Sequence, residues 1–326
     1  MKRGIIAAAC CTAMLISGCQ PSSGLLNKYS EMELLTSSDV LSLVDPEKGE
    51  GYAADLAVVS VSDNEASISD TTITTDAALL IQTNTQEALY YKNIYEPLAP
   101  ASLTKLMTGL LVLKYGNMDD IVTITEEMVY TDVAGAQMAG FAAGDQVSVR
   151  DLFYSMIVYS GNDTSTALGI HMSGSVEEFA KLMNSEAASL GAANTHFVNA
   201  CGLDEDGHET CAYDLYLMFN ACMQYEDFRN AISQTSYTVN YTSASGAAAS
   251  KTLPNTNLYF TGDYTPPEGV HIFGGKTGTT GAAGACLILY TTDDGENSYI
   301  SLILGGDDKP ELYQQMNSLL SMIQKN

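Results

Sequence analysis

Positions 98–108 read LAPASLTKLMT, and this stretch combines a reactive motif with the start of a helix. Pro100 favours the first turn of a helix because its ring fixes a helical backbone angle, so Ser102 falls in that turn and Lys105 lies three residues later. Residues at this spacing share one face of a helix, which lets the lysine amine reach the serine hydroxyl. A serine needs a neighbouring base to become a nucleophile, and we interpret Lys105 as that base.

Lys105 can accept a proton from Ser102 only when its amine is neutral. Burial and the positive end of the helix dipole both favour the neutral amine, because each disfavours a positive charge at this place. The backbone N–H of Ser102 lies at the start of the helix, where it has no partner in the preceding turn. It is therefore a candidate donor for half of an oxyanion hole.

Outward from this stretch, the apolar pattern predicts a sheet with a helical insertion. Residues 103–115 carry an apolar stripe typical of a helix, which Gly116 ends. Further helices are predicted at 149–159, 164–171, 176–190, 213–225 and 310–323. Strands are predicted at 77–81 and 88–91, which form a hairpin, and at 285–290 and 299–304. Strands at both ends with helices between them imply an α+β fold whose sheet is assembled from the two ends of the chain.

A second motif, Ser160-Gly161-Asn162, interrupts two predicted helices. Such a break presents the Ser160 and Asn162 side chains towards a cleft. The Ser160 hydroxyl can relay a proton between Lys105 and a leaving amine. The Asn162 amide can bind a substrate peptide carbonyl and hold Lys105 in place.

A third motif, Lys276-Thr277-Gly278 followed by Thr279, comes just before the predicted strand at 285–290. Glycines at this place let a substrate backbone approach closely. Lys276 and the Thr277 hydroxyl are candidates for binding a substrate carboxylate, and the N–H of Thr279 is a candidate for completing the oxyanion hole. The chain contains one Ser-x-x-Lys and one Lys-Thr-Gly, and it is the three motifs in this order that make the pattern specific.

Length and charge limit the possible functions. The chain has 326 residues, 46% of them apolar, which is enough to bury a substantial core. Its 39 acidic and 14 basic side chains give a formal net charge of −25. Because this charge repels nucleic acid and anionic lipid, we expect neither as a partner.

The first residues have the features of a bacterial lipoprotein signal peptide. Lys2 and Arg3 precede a short apolar run, which ends in Ile-Ser-Gly before Cys19. This ending resembles the lipobox, in which the cysteine receives a diacylglyceryl group; an ordinary signal peptide with a chance cysteine is the alternative. We therefore expect a signal peptide at 1–18, a tether at 19–51 and a catalytic domain at 52–326.

The remaining cysteines and the histidines do not indicate a metal site. Cys222 and Cys286 fall in apolar patterns typical of buried thiols, whereas Cys201 and Cys211 flank a polar loop and are candidates for a disulfide, which the sequence leaves open. The chain contains no Cys-x-x-Cys, and its four histidines are isolated from one another. We expect neither a metal nor a cofactor.

The three motifs together resemble those of the low-molecular-mass penicillin-binding proteins, specifically the D-alanyl-D-alanine carboxypeptidase family. The similarity extends to residues 197–199, 202–203, 207–208, 213–215 and 278–287, and it covers about 52–326. The resemblance implies a transpeptidase/β-lactamase-like fold, with an antiparallel sheet flanked by helices plus a helical subdomain and the site between them. It also implies peptidoglycan stem peptides as substrates, β-lactam antibiotics as inhibitors, and membrane attachment through lipidated Cys19 in place of the C-terminal anchor of many relatives.

One departure from the family pattern concerns the substrate carboxylate. Relatives often place an arginine downstream of Lys-Thr-Gly to bind it, but this chain has no arginine after Arg229. We expect Thr277 and Thr279 to bind the carboxylate, with Lys309 as an alternative.

Three other functions remain open from the sequence. A D,D-endopeptidase that cuts crosslinks would use the same residues. A class A-like β-lactamase needs a glutamate for deacylation, and the one candidate by spacing, Glu226, is expected at the end of a helix, far downstream of Ser160. A non-catalytic lipoprotein that binds β-lactams or peptidoglycan is the third.

Overall fold

The computed structural model describes Ala57 and residues 73–325. The predicted signal peptide at 1–18, the lipidation site Cys19 and the tether at 19–51 lie outside the described residues. Within the described part, no helix has the length and apolar character needed to cross a membrane.

The strands of the main sheet lie towards the two ends of the described chain, and most of the helices, with four further strands, lie between them. The strands are β1 Ala77–Gln82, β2 Glu87–Lys92, β3 Ile121–Thr123, β4 Gln146–Ser148, β5 Ser236–Thr242, β6 Ala248–Pro254, β7 Val270–Thr280, β8 Gly284–Asp293 and β9 Ser298–Gly306. The helices are α1 Lys105–Tyr115, α2 Glu126–Val129, α3 Val149–Val158, α4 Asn162–Ser173, α5 Val176–Ser189, α6 Ala212–Met223, α7 Glu226–Ile232, α8 Leu258–Thr261 and α9 Lys309–Leu320, with 3₁₀ turns at Ala101–Thr104 and Ile323–Lys325.

The main sheet is assembled from both ends of the described chain, as the sequence predicts. Its strand order is β2-β1-β9-β8-β7, and every neighbouring pair is antiparallel. In the pairing of β1 with β9, Ala77 lies opposite Leu304 and Gln82 lies opposite Tyr299. This order leaves β7, which carries the third motif, at an edge of the sheet.

Both faces of the main sheet are covered. Leu79 and Ile81 of β1 pack into the core shared with the helices of the insertion, whereas Leu80 points to the opposite face and packs with α9. This alternation follows from the two-residue period of a strand and explains why β1 is apolar from Ala77 to Ile81. The α+β fold with a sheet flanked by helices is confirmed.

A second sheet, of order β3-β4-β5-β6, was not predicted. Two of its strands have only three residues. The hairpin of β5 and β6 is rich in Ser, Thr and Ala, and among the β5 side chains only Val239 is buried. Short strands with so little apolar surface give a weak pattern, which is why the sequence does not reveal them.

One predicted helix boundary near the motifs was wrong, one strand was missed, and the predicted place of Glu226 was wrong. The helix predicted at 103–115 begins as the 3₁₀ turn Ala101–Thr104, because Ala101 has a left-handed φ of 47° that cannot start a regular helix. The third motif does precede the predicted strand, which is β8, but Lys276 itself lies within β7, a strand that was not predicted. Glycines at 274, 275 and 278 lower the strand propensity and conceal β7. Glu226 begins α7 and does not end a helix.

Candidate active site

Ser102 lies on the 3₁₀ turn, and Lys105 is the first residue of α1. The two side chains meet: Lys105 Nζ is 2.9 Å from Ser102 Oγ. Lys105 is fully buried, and its amine also donates to Asn162 Oδ1 at 2.7 Å and to the backbone oxygen of Cys201 at 2.6 Å. The structure thus brings the first and second motifs into direct contact.

The partners of Lys105 determine where its lone pair points when the amine is neutral. A neutral amine has two N–H groups and one lone pair. The Cys201 oxygen can only accept, and so can Asn162 Oδ1, so the two N–H groups are used there. The remaining lone pair faces Ser102 Oγ, which can donate its proton to it. Burial lowers the pKa of Lys105 to about 8, so the neutral form is accessible near neutral pH.

The second lysine of the cleft, Lys276, joins the third motif to the second. Its Nζ donates to Ser160 Oγ at 2.8 Å and to the Thr277 backbone oxygen at 2.8 Å. Burial, together with the nearby charge of Lys105, holds the pKa of Lys276 well below its usual value. Ser160 therefore accepts from Lys276, and its own hydroxyl proton is available to another group.

Ser160 lies between α3 and α4, as the sequence predicts, and it has a left-handed φ of 68°. The next helix begins at Asn162, whose N–H donates to the Gln137 backbone oxygen. The strained turn makes the chain reverse direction abruptly, so the Ser160 and Asn162 side chains line the same cleft.

Gly278 lets the edge strand β7 approach Ser102. A Cβ atom at this position would lie 3.0 Å from Ala101 Cβ and 3.1 Å from the Ser102 backbone nitrogen. Among the described residues, no strand pairs with the outer edge of β7, so its backbone groups are available along the cleft. A substrate backbone can add to such an edge as an extra strand.

The cleft between these elements has a volume of about 450 Å³. All three motifs contribute to its lining, together with residues 133–137. Among the described residues that line it, Asp204 and Lys309 are the only charged ones. Lys276 itself is buried behind the surface of the cleft, so Lys309 is the cation presented to a bound molecule.

The hydroxyls of the two threonines in the third motif, Thr277 and Thr279, have different partners. Thr277 Oγ1 shares a 2.6 Å hydrogen bond with Thr256 Oγ1, whereas Thr279 is exposed and its hydroxyl donates to the Gly278 backbone oxygen. Thr256 also lines the cleft. Sequence reasoning missed Thr256 because it belongs to no motif.

Asp163, which follows the second motif, anchors the loop at 139–141 and was also missed. Its carboxylate is buried and accepts four backbone N–H groups, those of Ala139, Gly140, Phe141 and Thr164. Carboxylates that accept several backbone N–H groups fix loop geometry firmly. The residue type was visible in the sequence, but three of its four partners lie more than twenty positions away.

The described cysteines are buried free thiols, including Cys201 and Cys211, so the disulfide considered from the sequence is not formed. Cys222 and Cys286 are buried, as predicted. The described residues contain no cluster of side chains that could hold a metal ion.

Comparison with known proteins relates this cleft to one family. A family model described as D-alanyl-D-alanine carboxypeptidase matches residues 63–308. The D-alanyl-D-alanine carboxypeptidase DacF of Bacillus subtilis is 35% identical over 250 residues, which cover 75% of this chain and 60% of that protein. DacD of Salmonella typhimurium is 33% identical over 262 residues, which cover 77% of this chain and 63% of that protein. The chain thus spans about three fifths of the length of these relatives.

Solved structures show the same similarity. The crystal structure of the Streptomyces K15 DD-transpeptidase matches with a TM-score of 0.70 and 26% identity, covering 79% of this chain and 98% of that chain. The D-alanyl-D-alanine carboxypeptidase DacD of Francisella tularensis matches with a TM-score of 0.65 and 26% identity, covering 77% of this chain and 70% of that chain.

Proposed function

This chain belongs to the D-alanyl-D-alanine carboxypeptidase family, and on that premise we propose that it removes the terminal D-alanine from peptidoglycan stem peptides through an acyl-enzyme on Ser102. The observation that carries the proposal is the hydrogen-bond arrangement of Lys105, whose only group left for a proton donor faces the Ser102 hydroxyl. We place the catalytic domain at 52–326.

Acylation begins when neutral Lys105 takes the Ser102 proton and Ser102 Oγ attacks the carbonyl carbon of the penultimate D-alanine. The backbone N–H groups of Ser102 and Thr279 stabilise the resulting oxyanion. Ser160 then passes a proton to the nitrogen of the departing D-alanine and regains one from protonated Lys105. The C–N bond breaks, and the peptide remains as an ester on Ser102.

Deacylation returns the enzyme to its starting state. Water attacks the ester carbonyl while neutral Lys105 accepts its proton. The bond between Ser102 Oγ and the acyl carbon then breaks as Lys105 returns that proton to Ser102 Oγ. Asn162 binds a peptide carbonyl of the substrate through its Nδ2 group, because its Oδ1 is already occupied by Lys105. β-Lactams would acylate Ser102 by the same route and act as inhibitors.

In this proposal the third motif and Lys309 bind the free carboxylate of the substrate. Lys276 and Gly278 shape the cleft, and the hydroxyl of Thr277 and the Thr279 residue bind the carboxylate. Lys309 supplies the positive charge, which is supported by its place as the one cation among the described residues lining the cleft. A lysine in the first turn of α9 faces the positive end of the helix dipole, so its position costs stability and favours a role in binding.

Deacylation by a class A-like β-lactamase mechanism is not supported, because no glutamate is found among the described residues of the cleft lining. Endopeptidase activity on crosslinked peptides requires the same catalytic side chains. Cleavage of a crosslinked peptide dimer would reveal this activity.

The protein acts outside the cytoplasm in this proposal, attached to the cell membrane through a lipid on Cys19. The support is the sequence from Lys2 to Cys19. Labelling cells with a radioactive fatty acid would place the label on the wild-type protein and not on Cys19→Ser. Equal labelling of both would refute the anchor.

The activity test uses the purified protein with a labelled penicillin, with diacetyl-lysyl-D-alanyl-D-alanine and with a crosslinked peptide dimer. A stable adduct on Ser102 together with release of D-alanine is expected, and both are lost in Ser102→Ala. Ser301→Ala is the matched control, because Ser301 is a buried serine of β9 whose hydroxyl has no partner among the described residues. Penicillin turnover without D-alanine release would instead indicate a β-lactamase, cleavage of the dimer an endopeptidase, and neither signal a binding protein.

A further inference from the structure

We propose that His208 is a positioning residue that fixes the direction of the Ser102 backbone N–H through Thr104 and Ala101, an inference that rests on the proposed acyl-enzyme function. His208 is buried and does not line the cleft, so it would not touch a substrate. Its influence on the nucleophile runs through two hydrogen bonds and one peptide group.

The first part of the chain of contacts fixes the imidazole. The Val198 N–H donates to His208 Nδ1 at 2.9 Å, so Nδ1 carries no proton and Nε2 carries one. His208 Nε2 lies 2.8 Å from Thr104 Oγ1 and therefore donates to it. Burial lowers the pKa of His208 to about 4, which agrees with a neutral ring in this tautomer.

The second part fixes a carbonyl next to the nucleophile. Because Thr104 Oγ1 accepts from His208, its own proton is free to go elsewhere, and it donates to the Ala101 backbone oxygen at 2.9 Å. Gly202 also packs closely against this carbonyl, because a Cβ atom there would come within 1.8 Å of the Ala101 oxygen and 2.8 Å of Thr104 Oγ1. The oxygen thus accepts from a hydroxyl and lies against a glycine backbone.

The third part connects this carbonyl to catalysis. The Ala101 carbonyl and the Ser102 N–H belong to one planar trans peptide group, so fixing the oxygen also fixes the N–H in the opposite direction. Ala101 has a left-handed φ of 47°, a conformation that an alanine leaves readily unless its surroundings hold it. The His208–Thr104 pair supplies that restraint on the proposed oxyanion donor.

The test separates binding from acylation. A chromogenic cephalosporin is mixed with each variant in a stopped-flow instrument, which gives the dissociation constant of the non-covalent complex and the acylation rate constant. Thr104→Val removes the hydroxyl and keeps the shape, whereas Thr104→Ser keeps the hydroxyl. His208→Leu removes the donor, and His196→Gln is the matched control, because His196 binds the Gly207 oxygen of the same loop without contacting Thr104.

We expect Thr104→Val and His208→Leu to lower the acylation rate constant about ten- to a hundredfold, with less than about a twofold change in the dissociation constant. Thr104→Ser should restore the rate to within about threefold, and His196→Gln should leave it unchanged. If Thr104→Val, which preserves side-chain shape, acylates at the wild-type rate, the inference is wrong even if His208→Leu does not fold. Failure of the wild-type protein to form an adduct would instead refute the proposed function itself.

Discussion

Lys276 is buried beside Lys105, and the two amines contact the two serines of one cleft, Ser160 and Ser102 respectively. Lys105 Nζ contacts Ser102 Oγ from α1, and Lys276 Nζ donates to Ser160 Oγ from β7. Burial is the main cause that lowers the pKa of each lysine, and the charge of Lys105 adds to the effect on Lys276. The cleft therefore holds two amines poised to be neutral, although the protein as a whole is strongly acidic.

The pH dependence of acylation should follow Lys105. Its pKa of about 8 means that the amine is mainly charged below this pH and mainly neutral above it. Since only the neutral amine accepts the Ser102 proton, the acylation rate constant should rise about tenfold per pH unit below pH 8 and level off above it. Stopped-flow acylation by penicillin from pH 6 to 10 measures this. A rate that stays flat across this range would contradict the assignment.

Lys105→Arg is the companion variant for the same lysine. A guanidinium stays charged at all accessible pH values and cannot accept the proton, so acylation should be lost at every pH. Far-ultraviolet circular dichroism would verify that the variant is folded. Retention of a pH-dependent rate in Lys105→Arg would show that another group acts as the base.

Gly278→Ala should slow acylation without unfolding the protein. The added Cβ would lie 3.0 Å from Ala101 Cβ and 3.1 Å from the Ser102 nitrogen, so β7 and the nucleophile must move apart by a few tenths of an ångström. A misplacement of about 1 Å in an active site can cost about a hundredfold in rate, so this smaller shift should cost about two- to tenfold. Gly281→Ala on the same segment is the control, because its Cβ would meet only Asp204 Oδ2 at 3.7 Å. Equal rates in the two variants would sink the close-approach argument.

Lys309→Gln should weaken binding of peptides with a free C-terminal carboxylate. Because Lys309 is exposed, the loss is expected to be modest, about a three- to tenfold rise in KM with kcat little changed. Lys309→Arg should retain the wild-type KM, and Lys181→Gln is a control at an exposed lysine of α5. Steady-state release of D-alanine gives both constants, and an unaltered KM in Lys309→Gln would leave recognition to the threonines alone.

Asp163→Asn should lower the stability of the protein. The carboxylate accepts four backbone N–H groups, and an amide offers one oxygen and places an N–H₂ group against the other donors. We expect the free energy of unfolding to fall by about 2–4 kcal/mol, as measured by urea denaturation. Asp119→Asn is the control, because the Asp119 side chain is 88% exposed. Equal midpoints and slopes for the two variants would mean that the loop adjusts without cost.

The parts of the site that could be predicted are those encoded at short sequence separation. Ser102 and Lys105 share a helix face because they lie three residues apart, and the break at Ser160 is visible in the pattern of helices. Even here the local geometry differed, since the left-handed Ala101 replaces the first helical turn with a 3₁₀ turn.

The groups of the site that were not predicted are ones that a sequence pattern does not single out. The Cys201 backbone oxygen, which fixes the amine of Lys105, belongs to a residue whose thiol was considered for a disulfide. Thr256 and His208 reach the site through contacts more than twenty residues away, to Thr277 and Thr104 respectively. A backbone oxygen or an isolated hydroxyl carries no motif, so only the tertiary structure reveals it.

The pairing of β1 with β9 also determines how the molecule can assemble. These strands are separated by more than two hundred residues, so their hydrogen bonds join distant parts of the chain and require a large loop to be closed. Non-local pairing of this kind slows folding, because the entropy of loop closure must be lost before the contacts form. The β7 edge takes its position from β8, and β8 pairs with β9. Catalytic competence should therefore arise late in folding, after the last strand has docked.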